Sequence, residues 1–89
     1  MSNRVAMVTG AAQGIGKGIA AALAANGFRV AVADLNLTAA EQTAKEIAAA
    51  GSTAIAVEID VTRTASVELA IRAVEAELGP VEVVVNNAG

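Results

Sequence analysis

Four short apolar runs alternate with three longer stretches of helical period, and this alternation limits the fold more than any other feature of the chain. Residues 5–8, "VAMV", form a continuous apolar run, the mark of a parallel strand buried on both faces. A helical pattern follows, with Ile15, Ile19, Ala22, Leu23 and Asn26 on one side and Gly27 just past its end. Residues 29–34, "RVAVAD", read as a second strand. Thr38 and Glu41 then stand at capping-box spacing before a helix with Ala40, Ala44, Ile47 and Ala48 on one face, which stops at Gly51. Residues 53–60 read as a third strand. A third helix starts at Thr62 or Thr64, presents Val67, Ala70, Ile71, Val74 and Leu78, and ends at Gly79-Pro80. Residues 81–89, "VEVVVNNAG", close the chain as a strand and a turn. The order β-α-β-α-β-α-β predicts a doubly wound α/β fold, one parallel sheet with helices on both faces. Strand order 3-2-1-4 would leave the fourth strand as an exposed apolar edge, prone to recruit other chains.

Eighty-nine residues make one small domain, and with Phe28 as its single aromatic the core must come from Val, Ile, Leu and Ala. There is no cysteine and no histidine, which excludes disulfides, thiolate chemistry and the commonest metal ligand, so no metal site is expected. Arg4, Lys17, Arg29, Lys45, Arg63 and Arg72 are spread singly under a net charge of −3, which speaks against nucleic acid. The N-terminal apolar run is too short for a signal peptide, and no run is long enough to span a membrane. The chain reads as cytoplasmic.

Residues 9–18, "TGAAQGIGKG", carry Gly10, Gly14, Gly16 and Gly18 directly after the first strand. A triphosphate-binding P-loop needs G-x-x-x-x-G-K-[ST]; here position 11 is Ala, position 18 is Gly, and Lys17 reads as a solvated side chain. Two readings stay open. One is a ligand-free bend. The other is a dinucleotide turn, in which Gly10 permits the turn, Gly14 lets phosphates approach the helix's positive end, and Gly16 lets the helix pack on the sheet. The spacing G-x-x-x-G-x-G departs from the six-residue fingerprint of dinucleotide folds. Asp34, 18 residues after Gly16, stands where such folds place an acidic residue on the adenosine ribose, and Asn86-Asn87 end the fourth strand across the topological switch point.

"TGAAQGIG" at 9–16, Asp34, "DV" at 60–61 and "NNAG" at 86–89 together resemble the cofactor half of the short-chain dehydrogenase/reductase family. The resemblance spans the whole chain and implies the N-terminal part of one NAD(P)-binding Rossmann domain, 1–89. It implies that Gly10, Gly14, Ile15 and Gly16 line the pyrophosphate and that Asp34 accepts from the ribose hydroxyls. Asp60 and Val61 would read the adenine edge; Gln13 and Asn87 join the cofactor-binding set, and Ala88 and Gly89 border the adenosine side. Thr9 and Asn86 would be structural, tying the fourth strand to the first. Gln13 and Leu35 occupy positions where NADP-using relatives often carry Arg or Lys, so NAD is the expected cofactor. Plainer alternatives stand beside these: Asp60 as a cap of the third helix, and Asn86 and Asn87 as a simple turn.

The family's chemistry, as the resemblance implies it, is hydride transfer between an alcohol and a ketone, with a tyrosine, a lysine four residues later and a serine handling the proton and the carbonyl. This chain has no tyrosine, and Lys17 and Lys45 lie in the cofactor half. The catalytic residues are therefore expected downstream of Gly89, in a longer homo-oligomeric parent, and the 89 residues alone are expected to be inactive. The other class of reading is a free-standing, non-catalytic nucleotide-binding or structural half-fold. "AQGIGKGIA" and "GFRVAVADLN" are similar to acetoin and diacetyl reductases, and equally compatible with ketoacyl carrier-protein reductases and sugar alcohol dehydrogenases.

Overall fold

In the computed structural model, which describes residues 4–88, the elements are β1 (Val5–Thr9), α1 (Gly14–Ala25), β2 (Arg29–Asp34), α2 (Leu37–Ala49), β3 (Ala54–Glu58), α3 (Thr64–Leu78) and β4 (Val81–Asn86). The strands form one parallel sheet in the order β3-β2-β1-β4. β1 and the middle of β2 are fully buried, as their unbroken apolar runs require, because helices cover both faces.

Side-chain volume is divided in opposite ways on the two faces. On one, α1 and α2 offer Ala20, Ala24, Ala40 and Ala44 to the larger Val8, Val30 and Val32 of the strands. On the other, the strands offer Ala31 and Ala33 to Val74 and Leu78 of α3, with Met7 filling between. Small against large on each side keeps the layers in close contact without aromatic residues.

Three details depart from the sequence reading. The buried side of α1 is Gly16, Ala20 and Ala24, with Ile19 and Leu23 packed beside it; Ile15 is 79% exposed and Ala22 and Asn26 are exposed. The helix has turned its smallest residues inward so that it can lie close to the valines of β1 and β2. α2 begins at Leu37, and its cap is Asn36, whose side chain accepts from Ala39 N at 3.1 Å; Thr38 lies inside the first turn and Ala48 is exposed. Thr43 is buried instead. Lys17, read as merely solvated, makes a 2.7 Å ion pair with Glu46 and so links α1 to α2.

β4 is the edge strand beside β1, and Val84 in it is 54% exposed. Among the described residues no helix is long and apolar enough to cross a membrane.

Candidate functional site

The carboxyl ends of the central strands lie level, with Thr9 opposite Ala33 of β2 on one side and Asn86 of β4 on the other. β1 connects to β2 while β4 lies on its opposite flank, so a crevice opens at this switch point.

The Thr9 hydroxyl is the junction. Buried to 3% exposure, it accepts from Asn87 N at 3.0 Å and Ala88 N at 3.1 Å, and its one proton faces the Asn86 Oδ1 at 3.3 Å and the Val85 carbonyl at 3.4 Å. Its hydrogen-bonding capacity is fully used in tying β4 to β1. Asn87 adds a side-chain bond, donating from Nδ2 to the Gly10 carbonyl at 3.2 Å.

Gly10 turns the chain with φ +64°, and Gly14 enters α1 with the same positive φ, a region that side chains other than glycine's seldom occupy. Space around Gly14 is open: a Cβ there would meet nothing within 4 Å. Gly16 is the reverse case. A Cβ on it would run into the Gly10 carbonyl and lie 2.7 Å from Asn87 Nδ2, so the close approach it permits is to the turn and the end of β4 rather than to the face of the sheet.

Between these glycines, Gln13 is the extended N-cap, and its side chain makes no capping bond; no acidic residue stands in the first turn. The first backbone bond of the helix runs from Lys17 N to the Gln13 carbonyl at 3.4 Å. The amides of Gly14, Ile15 and Gly16 precede it, at the positive end of the helix.

Asp34 ends β2 with both carboxylate oxygens engaged: Oδ2 accepts from Ala12 N at 3.1 Å and Oδ1 from Asn36 N at 3.0 Å. Each oxygen retains capacity for another donor. Asp60 Oδ1 accepts from the Thr62 hydroxyl at 2.6 Å and the Thr62 amide at 3.0 Å. These bonds, the hydroxyl's first, hold the Asp60 carboxyl below the usual carboxylate range, with a lesser pull from the nearby Arg63 charge. Asp60 does not cap α3, whose N-cap is Arg63; it closes a turn three residues earlier.

Gly10, Asp34, Asp60, Val61 and Ala88 come together around one cleft of about 200 Å³, completed by Leu35, Ile59 and Thr62. A wider hollow of about 410 Å³ adjoins it and shares Leu35 and Asp60. Gln13, Gly14 and Ile15 stand at the entrance of α1, while Asn86 lines a separate apolar hollow toward α3. Gly89 lies outside the described residues. The sequence did not single out Ile59 and Thr62 as lining the cleft, for which their neighbours Asp60 and Val61 were the available signal.

The model of the family described as short chain dehydrogenase matches residues 4–89. The chain belongs to that family. As a short-chain dehydrogenase it is 51% identical over 89 residues to an L-2,3-butanediol dehydrogenase of Corynebacterium glutamicum, covering 98% of this chain and 34% of that protein. It is 44% identical over 88 residues to a galactitol 2-dehydrogenase of Agrobacterium fabrum, covering 99% of this chain and 33% of the relative. A solved structure of a protein assigned as a D-mannonate oxidoreductase of Haemophilus influenza, with NAD bound, superposes with a TM-score of 0.94 at 29% identity, over 100% of this chain and 32% of that one. The chain thus spans about a third of the length of the relatives it matches.

Proposed function

We propose that this chain is the dinucleotide-binding part of an NAD-dependent oxidoreductase that moves a hydride between an alcohol and a ketone. The observation that carries the reading is Asp34: its carboxylate is oriented by two backbone amides and shares a cleft with Gly10, Asp60 and Val61. Ribose hydroxyls would donate to the remaining capacity of Asp34, the amides of Gly14, Ile15 and Gly16 would hold the pyrophosphate, and Asp60 with the Val61 amide would read adenine. Open space at Gly14 and the positive end of α1 fit that group. When bound, the nicotinamide supplies the hydride donor or acceptor.

NAD is favoured over NADP because a 2′-phosphate would meet the Asp34 charge, and among the described residues lining the cleft none is basic, Arg63 lying in the adjoining hollow beside Asp60. With no tyrosine, histidine or cysteine among these 89 residues, the proton is moved by groups outside them, and the chain alone binds without turning over. The names of the butanediol and galactitol relatives support a small polyol or hydroxyketone as the substrate class, acetoin among its members. A cytoplasmic, homo-oligomeric parent completes the reading.

Calorimetric titration of the chain with NADH and NADPH tests it. NADH binding about tenfold tighter than NADPH is the expected result, a modest part of what a like-charge contact costs. Tighter NADPH binding would overturn the NAD assignment, and binding of neither would overturn the site.

A further inference from the structure

Thr43 lies in the middle of α2 and is only 2% exposed. A buried threonine in a helix ordinarily returns its proton to a carbonyl one turn back in the same helix. This one does not. Its hydroxyl crosses to the turn after β1 and donates to the Ala12 carbonyl at 2.7 Å, spanning 31 positions of sequence. The N–H of the same alanine donates to Asp34 Oδ2 at 3.1 Å, and the preceding Ala11 N donates to the Ala33 carbonyl at 3.1 Å. Ala11 and Ala12 are buried at 0% and 7% exposure and have no side-chain polar atoms, so these bonds, with the packing around them, set how their peptides are turned.

The Ala12 carbonyl belongs to the planar peptide that also carries the Gln13 N–H, immediately before α1. Fixing that plane fixes the direction in which the chain enters Gly14. Asp34 and Thr43 therefore hold the two sides of one residue, and the carboxylate at the cleft is mechanically joined to the amides at the helix entrance.

We propose that Thr43 is a positioning residue of the dinucleotide site: through the Ala12 carbonyl it keeps the phosphate-facing amides in register with Asp34. The inference rests on the dinucleotide reading given above. Thr43 touches no part of the cleft, and its influence on binding passes through the turn.

The test compares Thr43→Val, which keeps the shape and removes the hydroxyl, with Thr43→Ser, which keeps the hydroxyl and removes the methyl. NADH affinity is measured by calorimetry, adenosine affinity by NMR titration, and folding by thermal melts on the same samples. The valine chain is expected to bind NADH about five- to tenfold more weakly, the usual scale for stranding a buried carbonyl. Its adenosine affinity stays within about twofold, because adenosine has no phosphates to reach the turn. The serine chain is expected to bind NADH within about twofold of the unaltered chain even where its melting temperature falls. Equal losses for NADH and adenosine, or unchanged NADH binding by the valine chain, would overturn the proposal. If valine prevents folding, the serine chain decides, and NADH affinity falling in step with melting temperature would overturn it. Absence of any NADH binding by the unaltered chain defeats the dinucleotide reading and this inference together, so the two failures are distinguishable.

Discussion

The entrances of α1 and α2 face the same end of the sheet and are built in opposite ways. At α2 the chain closes its own helix: Asn36 accepts from Ala39 N, and Asp34 accepts from the Asn36 amide just before it. At α1 the N-cap is Gln13, whose side chain contributes nothing, between glycines at 10 and 14 that hold positive φ. One entrance is satisfied from within, and the other has no side-chain acceptor for its amides. The difference teaches that an uncapped helix in a small domain is a stability concession, here made at the entrance where the proposed dinucleotide site lies, since a side-chain cap there is worth about 1 kcal/mol.

Removing the geometry on which the open entrance depends should have the largest effect. Gly16→Val drives a side chain into the Gly10 carbonyl and Asn87, both held by other bonds. A loss of about 3 kcal/mol is expected from such overpacking. In a domain of this size each kcal/mol moves the melting temperature by roughly 4–8 °C, so circular dichroism melts should fall by more than ten degrees. An unchanged melt would show that α1 and the turn can separate freely.

Closing the entrance should reverse the sign of two measurements at once. Gln13 already has the extended backbone of an N-cap, with φ −159° and ψ 171°. Gln13→Asp supplies the missing acceptor and a charge, so the melt should rise with about 1 kcal/mol of added stability. Dinucleotide affinity should fall about tenfold, because the carboxylate occupies the anion's place. A gain in both, or a loss in both, would break the contrast between the two entrances.

Opening the closed entrance gives the control. Asn36→Ala should lower stability by about 1 kcal/mol and leave dinucleotide affinity within about twofold, since the Asp34 partner at this position is backbone. A large affinity loss would mean that α2's cap is part of the site.

The smallest expected effect concerns acid. Glu46 is held below the usual carboxylate range by its hydrogen bonds to Lys17 and then Gln42, and by the Lys17 charge; Asp60 is held low by Thr62. A carboxyl with a depressed folded pKa stabilises the fold above its unfolded pKa, and that contribution is lost as pH falls through the folded value. Melting temperature should therefore be level above about pH 5 and decline below it, with Glu46→Gln removing part of the slope. Glu46 is exposed, so added salt should shrink its share. A decline beginning near neutrality would point to other groups.

Element type was legible because β1 and the middle of β2 are unbroken apolar runs, β3 and β4 are largely apolar, and each helix has its own punctuation at Gly27, Gly51 and Gly79, all with positive φ. Gly10, Asp34, Asp60, Val61 and Ala88 were legible as a group through their spacing and family resemblance, and they line one cleft. Periodicity misled at α1, where Ile15 drew the apolar face toward itself although the sheet accepts only small residues there. Thr43 and Lys17 could not be read at all. Their partners, Ala12 and Glu46, are about thirty positions away, and nothing local to a threonine or lysine in a helix announces a contact across the layer.

The Thr9 hydroxyl also sets a timetable. It waits for the amides of Asn87 and Ala88, 78 and 79 positions later, whereas the β1 partner in β2 follows within a few tens of residues. At roughly 5–20 residues per second of synthesis, β1 spends about 3–10 seconds with one flank unclaimed after its other neighbour can form. Until β4 emerges, the fully buried β1 is a half-zipped seam. During translation, the crevice at the switch point can exist only once β4 has emerged.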